Sequence, residues 1–98
     1  MFENLIPRHT KIVKVIALKT GNVILEDHVR YPLEESNLYF VTEEGEAVWD
    51  AERPAPDAHY IRAKLDNEGN QVSAYTTGRH AVELDLKTGK LLSQIEFK

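Results

Sequence analysis

Apolar and polar residues alternate with a period of two along much of this chain, and glycine turns interrupt the alternation. The clearest example lies between Asp57 and Asp66, where successive residues change character at almost every step. Because successive side chains of a β-strand point to opposite faces, such alternation predicts a half-buried strand. No stretch longer than ten residues combines a 3.6-residue period with helix caps. The pattern therefore predicts an all-β protein.

Eight short antiparallel strands follow from the same pattern. Polar glycine turns separate most of them, while prolines mark 31–37 and 52–57 as connections that interrupt the pairing. The segment Ile12–Leu18 is almost continuously apolar, which predicts a strand buried on both faces. The predicted strands span residues 12–18, 22–29, 38–42, 46–51, 57–66, 71–77, 80–86 and 91–97.

Four glycines divide the predicted strands into four hairpins in series. They stand at positions 21, 45, 69 and 89, and each is expected to adopt the positive φ of a tight turn. The tetrapeptide Leu18-Lys19-Thr20-Gly21 recurs as Leu86-Lys87-Thr88-Gly89. The chain is therefore predicted to be one all-β domain, 1–98, that contains two related halves of about residues 11–51 and 57–98.

Each half has the size of one β-propeller blade, which contains four strands in about 40–50 residues. The segment 80–92 places Asp85 before Thr88-Gly89-Lys90 and then apolar residues. It resembles the last hairpin of a pyrroloquinoline-quinone-type or WD-type β-propeller repeat, and 38–50 resembles a degraded copy. The resemblance implies blade-like sheets; quinone binding and enzyme activity are not carried over, because two blades cannot close a ring.

Two blade-like sheets would leave faces and edges uncovered, which proteins seldom do. Three arrangements would provide cover. Three chains can complete a six-bladed ring, the eight strands can close into a small barrel, or the two sheets can pack face to face. The first arrangement makes a homo-oligomer the expected state.

Charge is distributed unevenly along the chain. The 98 residues carry a formal net charge of −4, but 26–52 alone carries −8 and the remainder +4. A net acidic chain repels phosphate backbones, which disfavours nucleic acid as a partner. The apolar runs are too short to span a membrane, and the chain contains no cysteine. We expect a cytoplasmic protein. Its acidic segment either binds a basic protein or keeps exposed strands soluble and their edges unpaired.

Residues that could carry catalysis lack the required spacing. Histidines stand at 9, 28, 59 and 80, and no two have the spacing typical of adjacent metal ligands. A nucleophile elbow and a glycine-rich phosphate loop are also missing from the sequence. His59 shares an apolar face with Ile61, which favours a packed histidine over a ligand. We predict no catalytic residue, metal site or cofactor; an enzyme assembled at a subunit interface from His28, His59 or His80 is a third hypothesis.

Aromatic and acidic side chains remain as candidates for binding. Tyr60 is predicted on a polar strand face with Arg62 and Lys64, and an exposed aromatic ring can stack on a sugar or anchor a protein. Trp49 and Tyr39 also fit a core. The leading hypothesis is a non-enzymatic protein-protein interaction module, and the alternative is a small lectin-like carbohydrate-binding protein. The candidate binding residues are Trp49, Tyr60, Tyr75, Glu43, Glu44 and Glu46.

Overall fold

The computed structural model describes residues 5–97, and these form eight antiparallel strands in two four-stranded sheets. In both sheets the spatial order of the strands follows the chain, so each sheet is a simple meander. The all-β prediction is confirmed. The N-terminal sheet contains β1 (Ile12–Leu18), β2 (Gly21–Glu26), β3 (Leu38–Thr42) and β4 (Ala47–Asp50). The C-terminal sheet contains β5 (Tyr60–Leu65), β6 (Gln71–Thr76), β7 (His80–Asp85) and β8 (Leu91–Glu96).

The predicted glycine turns join β1 to β2, β3 to β4, β5 to β6 and β7 to β8, and all four glycines have positive φ. At Gly21 the reason for glycine is close packing as well as φ. A Cβ atom there would lie 2.0 Å from the carbonyl oxygen of Val41 on β3. Residues 5–97 contain no helix, and so none that is long and apolar enough to cross a membrane.

One hydrophobic core joins the two sheets. Each sheet contributes side chains from one face, and full burial of a valine, leucine or phenylalanine side chain contributes about 1.5–3 kcal/mol. The core residues of the N-terminal sheet and its end are Val23, Leu25, Leu38, Phe40, Trp49 and Ala51; those of the C-terminal sheet are Tyr60, Ala63, Val72, Ala74, Val82 and Leu84. Within the described chain, the sheets therefore pack against each other through these faces.

The two outward faces differ in their cover. Residues 5–10, here called the N-terminal arm, lie over the outward face of the N-terminal sheet, where Leu5 packs with Ile24, Tyr39 and Val41. Across residues 5–97, nothing equivalent covers the outward face of the C-terminal sheet, and Ile95 there is 63% exposed. Among the residues that the structure describes, only the N-terminal sheet thus has its outward face covered by another segment of the chain.

The prediction that Ile12–Leu18 is buried on both faces is wrong. β1 is an edge strand that pairs only with β2, and no residue in it is fully buried. Ile16 and Leu18 pack against the core, whereas Val13 is 50% exposed at a bulge. Apolar composition alone does not distinguish a central strand from an edge strand whose second face is open.

A buried amide connects the sheets beside this core. Asn37 is completely buried immediately before β3. Its Nδ2 group donates hydrogen bonds to the carbonyl oxygens of Glu26 and Tyr60, both at 2.7 Å. Its Oδ1 atom accepts one from the Tyr60 backbone N–H at 2.8 Å. The side chain of Asn37 therefore links the end of β2 to the start of β5 as a further strand would.

Candidate functional site

The turn between β3 and β4 presents three carboxylates to solvent. The Thr42 backbone N–H donates to the Glu46 carbonyl (2.8 Å), and the Gly45 N–H donates to the Thr42 carbonyl (2.9 Å). The Glu46 N–H also donates to Thr42 Oγ1 at 3.0 Å. These bonds hold residues 43–46, here called the acidic hairpin, in a tight turn. Glu43, Glu44 and Glu46 are exposed, and their carboxylates form no hydrogen bond or ion pair with residues 5–97.

Other acidic residues of 26–52 are held within the chain. Asp50 pairs with Arg8 at 2.8 Å, Glu35 lies 2.9 Å from the His9 ring, and the Glu52 carboxylate accepts the Leu91 backbone N–H. Glu26 is completely buried. Fewer carboxylates of the segment 26–52 are therefore free at the surface than its sequence indicates. The acidic hairpin is the part of this segment where exposed carboxylates are most concentrated.

Trp49 belongs to the core. Its side chain is 8% exposed, its ring packs near Phe40 with centroids 5.6 Å apart, and its indole N–H donates to the Leu86 carbonyl at 2.9 Å. Because that carbonyl follows β7, the bond joins β4 to the C-terminal sheet. Of the two interpretations of Trp49, core packing fits this environment.

The prediction that Tyr60 lies on the exposed face with Arg62 and Lys64 is wrong. A β-bulge between Tyr60 and Arg62 inserts one residue, so strict alternation fails there. Tyr60 is consequently completely buried, and its hydroxyl donates to the Glu52 carbonyl at 2.5 Å. Burial, with the nearby Glu52 carboxylate, raises the pKa of Tyr60 far above its ordinary value. Three aromatic residues were candidates for a lectin-like site. Trp49 and Tyr60 are buried, so only Tyr75 remains.

Tyr75 lines a groove that the alternation of polar and apolar residues does not predict. The groove has a volume of about 550 Å³ and lies between β1 of one sheet and β5 and β6 of the other. Its charged residues are Lys14, Arg62 and Lys64, and no acidic residue lines it. Val13 and Ile61 add apolar surface. We call this feature the cationic groove.

The three cations of the groove have no partner within the described residues. Lys14, Arg62 and Lys64 are all exposed, and none forms an ion pair or a side-chain hydrogen bond there. In the C-terminal sheet Lys64 lies opposite Ser73, and Ser73 lies opposite Glu83, whose carboxylate accepts the Ser73 hydroxyl at 2.8 Å. Alternation along β5 predicts Arg62 and Lys64 on one face, and both are exposed. The position of Lys14 beside them depends on the packing of the sheets, which the alternation does not predict.

The histidines lie in separate settings. His59 is buried, as its apolar neighbours predict, and its Nε2 atom is 2.9 Å from the Pro32 carbonyl and 3.2 Å from that of Glu35. His28 lies 3.9 Å from Asp27, and His80 contacts Thr76. The described residues contain no group of three or more histidine and acidic side chains that could hold a metal ion.

The most highly connected charged group is Glu26, beneath the N-terminal arm. Its carboxylate accepts the backbone N–H groups of Arg8 (2.7 Å), His9 (3.1 Å) and Thr10 (2.9 Å), and also the Tyr39 hydroxyl. Arg8 in turn lies 3.8 Å from the centroid of the Tyr39 ring. Burial acts to raise the Glu26 pKa, but these hydrogen bonds together outweigh it and hold the pKa below its ordinary value.

Glu26→Gln should loosen the arm and lower the free energy of unfolding by about 2 kcal/mol near pH 7, because one amide oxygen cannot replace four charge-assisted hydrogen bonds. The wild-type pKa is lower in the folded state than in the unfolded state. The carboxylate's contribution is therefore present above the ordinary pKa of 4.5 and is lost as the pH falls through the folded value. Urea unfolding across pH should show the two proteins converging in acid; a constant difference would contradict this account.

Comparison with known proteins found no match among protein families, curated proteins or solved structures.

Proposed function

We propose that the chain is a non-enzymatic protein-interaction module that binds a basic partner through the acidic hairpin. The observation that carries the proposal is the placement of Glu43, Glu44 and Glu46 in one exposed turn with no partner among the described residues. Separated carboxylates on a flat surface are weak attractors, whereas three on one turn concentrate the field that steers a basic protein.

The strand beside the hairpin supplies a second element of recognition. β4 is an edge strand, and Val48 on it is 47% exposed. An edge strand can accept a partner strand through backbone hydrogen bonds, while nearby charges select among partners. The absence of cysteine is compatible with the reducing cytoplasm, which we propose as the location of this interaction.

The test compares the wild-type chain with the variant Glu43→Gln/Glu44→Gln/Glu46→Gln. Both are immobilised, and retained proteins from a lysate of the source are identified by mass spectrometry and then purified for pairwise titration. We expect a basic protein that binds the wild type at least tenfold more tightly than the variant and dissociates in salt.

A matched control removes the same number of exposed charges elsewhere, with Glu34→Gln, Glu68→Gln and Glu96→Gln. This control should bind as the wild type does. Equal retention of every protein by the wild type and the hairpin variant would overturn the proposal.

A further inference from the structure

We propose that the partner is a second copy of this chain, which presents a basic surface, the cationic groove, to the acidic hairpin. The inference rests on the proposed function and names the occupant of the same site. Three carboxylates without internal partners lie on one surface, and three cations without internal partners lie on another, all within the described residues. Complementary potentials of this kind favour association and fix its orientation.

The two surfaces are too far apart to satisfy each other within one chain. Lys14 of the cationic groove is on β1, and the acidic hairpin leads into β4. These strands form the opposite edges of the N-terminal sheet, separated by three strand spacings, or roughly 14 Å. Each copy therefore offers one acidic and one cationic surface, located at opposite edges of the N-terminal sheet.

The apolar surroundings also match. Val48, next to the acidic hairpin, is 47% exposed, and Val13, at the cationic groove, is 50% exposed. Ile61 and Tyr75 also belong to the lining of the groove. Contact between these side chains would remove apolar surface from water at the centre of the interface, with the charges around it.

Because the two contacting surfaces differ, the association is head-to-tail. Repetition of such a contact gives a ring when the rotation closes and a filament when it does not. A ring would be consistent with sheets that resemble propeller blades, since each chain would contribute its two sheets to the same ring. The proposal itself requires only the contact between hairpin and groove.

Sedimentation velocity measures the assembly directly. The wild-type chain should form species larger than a monomer at about 0.01 M salt and dissociate at about 1 M, since the Debye length falls from roughly 30 to roughly 3 Å over that range. The groove variant Lys14→Gln/Arg62→Gln/Lys64→Gln and the hairpin variant Glu43→Gln/Glu44→Gln/Glu46→Gln should each be monomeric. The control Lys19→Gln/Lys87→Gln/Lys90→Gln, at exposed cations outside the groove, should assemble as the wild type does.

Mixing the two monomeric variants is the decisive measurement. One retains an intact hairpin and the other an intact groove, so the mixture should contain a one-to-one dimer and nothing larger. Unchanged thermal unfolding of each variant would show that the substitutions leave the fold intact. A monomeric wild type, or a mixture without dimer, would overturn the self-association.

The fate of the proposed function is then decided separately. If a different basic protein required the acidic hairpin for binding, the proposed function would stand without self-association. If no basic protein required the hairpin, both proposals would fall.

Discussion

Gly89→Ala should destabilise the protein by about 4 kcal/mol, a large part of the 5–15 kcal/mol typical of a small domain. The residue has φ +74, and alanine in the left-handed region costs about 1–2 kcal/mol. The larger cost is steric, because the added Cβ would lie 2.5 Å from Cε3 and 2.6 Å from Cδ2 of Trp49. The Trp49 ring cannot move freely, since its indole N–H is bonded to the Leu86 carbonyl. Chemical denaturation measures the loss.

Gly69→Ala is the matched control for that substitution. Gly69 has φ +75, almost the same backbone conformation, but its added Cβ would meet only Leu65 Cδ2 at 4.0 Å. The expected cost is the backbone contribution alone, about 1–2 kcal/mol. In addition, Trp49→Leu should be less harmful in the Gly89→Ala background than in the wild type, because a smaller side chain relieves the clash. Equal losses from Gly89→Ala and Gly69→Ala would show that Trp49 does not pack on residue 89.

The hairpins were predictable because their determinants are local. Glycine at 21, 45, 69 and 89 sets the turn, and a period of two sets the strand on either side, so six of the eight strands begin and end within one residue of prediction. The predicted second strand extended to Val29, but β2 ends at Glu26, whose carboxylate is directed to the N-terminal arm.

The sites were less predictable because their determinants are tertiary. A bulge of one residue after Tyr60 reverses the face on which that ring lies, and nothing in the alternation signals it. The exposure of Glu43 and Glu44 follows from their place in a turn. The cationic groove depends on how two sheets pack, because Lys14 and Arg62 are far apart in sequence. Local pattern therefore identifies the acidic hairpin but not the cationic groove.

Asn37→Asp should cost about 3–5 kcal/mol at neutral pH, although the two side chains have nearly the same shape. The amide Nδ2 group donates to two carbonyl oxygens, those of Glu26 and Tyr60. A carboxylate oxygen in its place would face both oxygens with no hydrogen to share, in a completely buried position. The connection between the end of β2 and the start of β5 would be lost, so the junction between the sheets should open before the hairpins unfold.

The pH dependence of the Asn37→Asp variant distinguishes this mechanism from a general packing defect. Burial beside two carbonyl oxygens should raise the folded pKa of the new carboxyl above its unfolded value of about 3.9. Its destabilisation should then grow as the pH rises above 3.9 and shrink in acid, where the protonated group can donate one hydrogen bond. Asn67→Asp makes the same charge change at an exposed turn position and should cost less than about 0.5 kcal/mol. Similar unfolding curves for the two variants from acid to neutral pH would mean that the Asn37 amide does not hold the two sheets together.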